Sequence, residues 1–247
     1  MEGKAISQPV RERKGHMVAK KVYNYNIAKF DFFKTAVADI LRAIDGGAQM
    51  GAAILAFCCI DYMGMAIDPS KDRNTGDDFK KFVSDYMGEI NSRYKSVVGE
   101  LWAVRNSLVH VYGESDATKK KSMGFEFTSD DQNTDDYGDS NTHLRKVGDN
   151  KLSIDIPEFV GEIVAAVELF FRKNKGDDNL LSEWYKKLLI IQSVAGWFER
   201  LRINDSGKRE HVRSHRLFKV LDDTPEKDVQ EVARAIRDGV RQIIEEL

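Results

Sequence analysis

Between Leu101 and Tyr112 the chain reads LWAVRNSLVHVY, an apolar stretch interrupted by three side chains able to do chemistry: Arg105, Asn106 and His110. On a helix, residues four apart share a face, so Asn106 lies beside His110, while Arg105 sits about 140° round the wheel from His110. Arg105 and His110 therefore flank one face, and the Asn106 amide is within reach of the His110 ring to fix its orientation.

A histidine and an arginine beside one phosphodiester suffice to cleave RNA without a metal. The imidazole, whose ordinary pKa of about 6.5 lies near neutral pH, takes the proton of the ribose 2′-OH. The freed oxygen attacks phosphorus, and a guanidinium pairs with the oxygens on which charge develops. DNA lacks that nucleophile. One imidazole serves poorly as both base at the 2′ oxygen and acid at the 5′ oxygen, so a two-fold homodimer that brings a second histidine completes the scheme.

Asp61 is the other polar residue that needs a partner. It stands in the most apolar run of the chain, Met50 to Ile67, where an unpaired carboxylate is costly. Arg105 is the expected partner, either orienting the guanidinium across the fold or fixing helix register. Tyr112, just past His110, is placed to line a cleft or simply to pack.

Other templates are missing from the sequence: no GxxxxGK[ST], GxGxxG, GxSxG, HExxH or EF-hand spacing occurs. Cys58 and Cys59 are adjacent, which suits neither a disulfide nor a tetrahedral zinc site, and they read as small core residues in a reduced compartment. His211 and His215 are four apart, but no matching carboxylate completes a metal set. No metal and no cofactor is expected.

The elements that must position these residues are helical. Apolar residues recur at helical spacing over about Ile27 to Ile44, Met50 to Ile67, Asp77 to Tyr94 and Val97 to Tyr112, with Gly46-Gly47, Pro69 and Gly113 as stops. The second of these reads as a helix buried on nearly all sides. A membrane span is not expected of it, because Asp61 at its centre would cost at least about 2.5 kcal/mol in a bilayer. Four helices on short connections suggest an up-and-down bundle. After Glu114 the pattern breaks. GFEFT (Gly124 to Thr128) and KLSIDI (Lys151 to Ile156) alternate as strands and are expected to pair as a small β-hairpin, with the acidic stretch SDDQNTDDYGDSN at its tip. Pro157 then opens a further helix reaching Lys173, and two more are expected over Leu180 to Leu201 and Pro225 to Leu247.

The order Arg105-Asn106-Ser107-Leu108-Val109-His110 on the last helix of such a bundle resembles the R-x(4-6)-H motif of HEPN domains. The resemblance covers roughly Tyr23 to Tyr112, with Pro157 to Lys173 as an extra bundle helix. It implies a mainly α fold, an antiparallel HEPN-like helical bundle, here with a small hairpin insert and additional C-terminal helices. It also implies dimerisation with the two motif helices facing each other, and metal-independent endoribonuclease activity of the kind found in toxin, antiphage and RNA-processing systems. Carried over by position, Arg105 binds and polarises phosphate, His110 acts as base or acid, and Asn106 positions His110. An antitoxin or regulatory protein is the partner such a system implies. A noncatalytic HEPN-like module that binds RNA, a nucleotide or a protein is the alternative, and a purely structural helical interaction protein is a third.

Composition fits this reading. With 42% hydrophobic and 32% charged residues the chain has enough apolar material for a core. The 38 Lys and Arg against 40 Asp and Glu exclude a global basic field, so affinity for a polyanion must be local. The segment from Glu199 to Lys219 holds seven basic residues against three acidic ones and is the place for it. Residues 1–22 carry basic charge without an apolar stretch behind it and include Gly15-His16-Met17, which resembles a cloning junction; they are expected to be a disordered or tag-like end. The bundle with its insert at about 114–156 is assigned to residues 23–175, a helical extension with the basic segment to 176–247, and the location is expected to be cytoplasmic.

Overall fold

A computed structural model describes residue 29 and residues 32–71, 75–111, 124–128, 143–147, 151–177, 179–184 and 228–245. Expectations for residues 1–22, the acidic stretch 129–141, His211 and His215, the basic segment 199–219, and Tyr112 fall outside these residues.

The described part is mainly helical with one small sheet. A π-helical turn, Phe33–Val37, leads into α1 (Ala38–Asp45), which closes at Gly46-Gly47. Gly47 takes a positive φ of 72°, a conformation glycine adopts without the Cβ penalty. The next helix, α2 (Gln49–Ile67), matches the long apolar run. By length and hydropathy it could cross a membrane, but more than half of it is buried inside the molecule. It is not buried on nearly all sides, as the sequence suggested. Ala52, Ala53, Ala56, Phe57, Ile60 and Met63 face the core, while Met50, Leu55 and Cys58 are exposed along the opposite stripe. A helix whose residues are apolar all round carries no periodic signal to say which face is left outside.

Thr75 caps α3 (Gly76–Phe82) through a reciprocal pair: its hydroxyl accepts from the Asp78 N–H, and the Asp78 carboxylate accepts from the Thr75 N–H. Lys71 adds an ion pair to Asp78 at 2.6 Å. The helix continues through a π-helical turn, Val83–Met87, and ends at Ile90, short of the expected Tyr94. Tyr94 instead begins α4 (Tyr94–Val111), because Asn91 leaves the helix with extended angles and its side chain accepts from the Arg93 N–H. An Asn able to bond the backbone two residues on is a turn former, a signal hidden inside the apolar periodicity.

The expected hairpin is corrected. β1 (Gly124–Thr128) and β3 (Lys151–Asp155) pair in parallel, Gly124 opposite Lys151 through Thr128 opposite Asp155. The antiparallel edge of β3 is taken by the two-residue β2 (Lys146–Val147), giving the order β1-β3-β2. The nearest strand in sequence takes the hairpin place, and β1 is left the other edge. A parallel pair needs a crossover of a dozen or more residues, which 129–150 supplies. Just before β2, consecutive His143 and Leu144 are both buried, and Leu144 is held at φ 57°. Two neighbours turned to the same interior require a kink of this kind, at a cost of about 1–2 kcal/mol for a residue with a Cβ.

The sheet hands the chain to α5 (Ile156–Lys173), capped by Asp155, whose carboxylate accepts from the Glu158 N–H, with Pro157 in the first turn. Nearly every residue of α5 is buried. Residues 179–184 are helical and carry the buried Trp184, and the remainder of the expected Leu180 to Leu201 helix is not among the described residues. The last element, α6 (Val229–Glu245), lies along α5, where Val232, Ile236 and Val240 join the core. They pack tightly at Gly161: a Cβ there would meet the Ala233 carbonyl oxygen at 2.5 Å.

Gly161→Ala is accordingly expected to force α6 off α5 and lower unfolding stability by about 1–3 kcal/mol in urea titrations. Gly176→Ala, where a Cβ meets nothing within 4 Å, serves as the control and should stay within about 0.5 kcal/mol of wild type.

Candidate active site

Asp61 comes from the middle of α2 and Arg105 from the second half of α4, and the two helices pack so that these side chains meet. Arg105 Nε donates to Asp61 Oδ2 at 2.6 Å, and Arg105 Nη2 approaches the same oxygen at 2.5 Å. The partner expected from sequence is the one the structure provides. The side chains are 17% and 15% exposed, so the pair is screened less than the fully solvated ion pairs, which contribute about 0–1 kcal/mol.

The rest of α4 explains why the arginine is held at the boundary. Leu101, Ala103, Val104, Ser107 and Leu108 are turned inward, and the Ser107 hydroxyl is satisfied by the Ala103 carbonyl at 2.9 Å. Trp102, Arg105, Asn106 and Val109 form the half-exposed side. Asn106 Oδ1 accepts from Arg105 Nη1 at 2.9 Å, so its carbonyl serves the arginine. The guanidinium lies over the Trp102 ring, 5.2 Å from its centroid. His110 follows Asn106 by four residues on the same helix, and its side chain is not among those described. The structure thus brings together Asp61, Arg105 and Asn106, adds Trp102, and leaves His110 placed by its helix alone.

Cys58 is one helical turn before Asp61 and exposed, whereas Cys59 faces the core. The expectation that both are core residues is corrected for Cys58. Its low-dielectric surroundings first, and the Asp61 carboxylate second, push the Cys58 thiol up, while Arg105 pulls it down. For Cys59, burial raises the thiol to about 12.

A second polar cluster, which the sequence pattern does not reveal, ties the sheet to the helices. His143 Nδ1 accepts from the Asp155 N–H at 3.1 Å, which leaves the ring proton on Nε2, and Nε2 donates to Glu162 Oε2 at 3.0 Å. The same carboxylate accepts from the Tyr94 hydroxyl at 2.5 Å and from Asn91 Nδ2 at 2.8 Å. Burial, then the Glu162 charge, holds the Tyr94 hydroxyl well above its ordinary pKa, so it remains a donor. His143 is closed from solvent, so the cluster is a fastening and not a reaction site. Its only sequence signal was a histidine followed by an apolar residue just before a strand. No group of three or more metal-ligating side chains occurs among the described residues.

No protein-family model, curated protein or solved structure matches the chain.

Two outcomes check this geometry. Alkylation of Cys58 by iodoacetamide at mildly alkaline pH should speed up in Asp61→Asn and slow down in Arg105→Ala, with Cys59 unreactive in both; equal rates in all three proteins contradict the placement. Replacing His143 by Leu leaves the Asp155 N–H and Glu162 short of partners, and chemical denaturation should show a loss of roughly 3 kcal/mol.

Proposed function

We propose that the chain is a metal-independent endoribonuclease of HEPN type, its helices forming the antiparallel bundle of that family and its site completed in a homodimer. The observation that carries this reading is the Arg105 guanidinium, gripped by Asp61 and Asn106 on the half-exposed side of the helix that also bears His110. A buried arginine serves packing, and a fully solvated one is unordered. One fixed at the boundary is prepared to receive a phosphate.

In this scheme His110 of one copy takes the 2′-OH proton, and the 2′ oxygen attacks the adjacent phosphorus. Arg105 pairs with the non-bridging oxygens as charge builds there. The imidazolium of the second copy returns a proton to the departing 5′ oxygen, so the products are a 2′,3′-cyclic phosphate and a 5′-hydroxyl. Asp61 aims the arginine and Asn106 steadies it. The basic segment from Glu199 to Lys219 supplies charge for the strand. A cytoplasmic toxin or defence component, held in check by an antitoxin or regulatory protein, is the setting that suits this chemistry.

The alternative is a noncatalytic HEPN-like module that binds RNA, a nucleotide or a protein. The Asp61 contacts favour it too, since they occupy the Nε edge of the guanidinium and leave less of it for a transition state.

Cleavage of single-stranded RNA in EDTA separates the two. Arg105→Ala and His110→Ala are each expected to lose activity by about 100-fold or more while keeping the fold and oligomeric size, and a 2′-deoxy strand should remain uncut. Full activity in either variant removes the nuclease assignment. Binding without turnover, unchanged in His110→Ala, establishes the module instead.

A further inference from the structure

Resting on the reading of Arg105 as the phosphate-binding group, we propose that Trp102, seated on Gly76, is a positioning residue that sets the plane of the Arg105 guanidinium. Trp102 precedes Arg105 by three residues on α4, close to one turn, so its ring lies alongside the arginine stem. The guanidinium carbon stands 5.2 Å from the ring centroid.

The ring itself is fixed by α3. Phe79 packs against it with centroids 5.2 Å apart, tilted by 53°. Gly76, the first residue of α3, lets the helix start close beneath the indole. A Cβ there would fall 2.9 Å from two ring carbons and 3.3 Å from the ring nitrogen. Phe79 is fully buried, so the ring has no room to yield on that side. Gly76 has no positive φ, so its backbone needs no glycine; what the position requires is the missing side chain.

The three contacts constrain different motions. Asp61 holds the Nε edge and Asn106 holds Nη1, both acting within the guanidinium plane. Hydrogen bonds to oxygen tolerate a broad range of out-of-plane tilt. A flat ring beneath the group restricts that tilt. A planar fork recognises two phosphate oxygens only when its plane contains them, so tilt decides whether the pairing is bidentate. The start of α3 thus acts on the orientation of a charge on α4 through the ring between them.

The test compares full-length wild type with Trp102→Leu, Trp102→Phe and Gly76→Ala, reading side-chain nuclear magnetic relaxation at the Arg105 Nε, assigned by its disappearance in Arg105→Lys. An ordered Nε is expected in wild type, a disordered one in Trp102→Leu and Gly76→Ala, and recovered order in Trp102→Phe. In the RNA assay kcat should fall about tenfold in Trp102→Leu and Gly76→Ala with KM within about twofold, and Trp102→Phe should restore most of it. A folded Trp102→Leu whose Arg105 Nε is as ordered as in wild type overturns the proposal. Should Trp102→Leu fail to fold, Gly76→Ala decides alone, since alanine is the better helix former; an unchanged Nε there overturns the proposal equally. A wild type that cuts no RNA defeats the nuclease reading, while the relaxation measured at Arg105 still decides whether Trp102 positions it.

Discussion

The contact between Asp61 and Arg105 joins the two helices that matter most to the functional reading. A carboxylate in the middle of α2 is tolerable only if a cation meets it, and a cation on the shoulder of α4 is ordered only if something holds it. Each requirement answers the other. The register of α2 against α4 follows, because sliding either helix by a turn would separate the charges by about 5 Å. Asn106 and Trp102 then add to an arrangement whose distance is already fixed. The pair also tunes its surroundings: the neighbouring Cys58 thiol feels both charges, with opposite sign.

The fastening at His143 plays the corresponding part at the other end of α4. Tyr94 opens that helix, Glu162 lies on α5, and Asp155 ends the sheet, so one imidazole joins three elements through both of its nitrogens. The arrangement has a single satisfied proton pattern, with the ring donating to a carboxylate and accepting from an amide. That specificity explains how the chain tolerates the unfavourable backbone at Leu144. Turning His143 inward and Leu144 inward at once is strained, but either alternative would leave a buried donor or an apolar side chain in the wrong place.

Much of the helical plan was legible, and the failures have identifiable causes. The runs ending in α1, α2, α4 and α5 carried either strong periodicity or plain stop and cap signals, such as Gly46-Gly47 and Pro157. The encounter of Asp61 with Arg105 was legible as well, from the cost of an isolated charge in an apolar helix. Other features were not. Asn91 ended a helix from within an apolar pattern, because its capping bond is local and leaves the periodicity intact. Strand direction was missed because alternation gives the faces of a strand and not its sense, and β2 was too short to register. The roles of Gly76 and Trp102 were invisible because they depend on a contact between helices, which spacing within one helix does not encode.

The start of α5, with its cap Asp155 and first-turn Glu158, is covered by Arg237 and Arg241 of α6, an element made well after α5 during synthesis. At ordinary elongation speeds the gap between them lasts on the order of several seconds. For that interval Asp155 and Glu158 stand without these two arginines. The cover over the start of α5 is therefore among the last parts of the molecule to be completed.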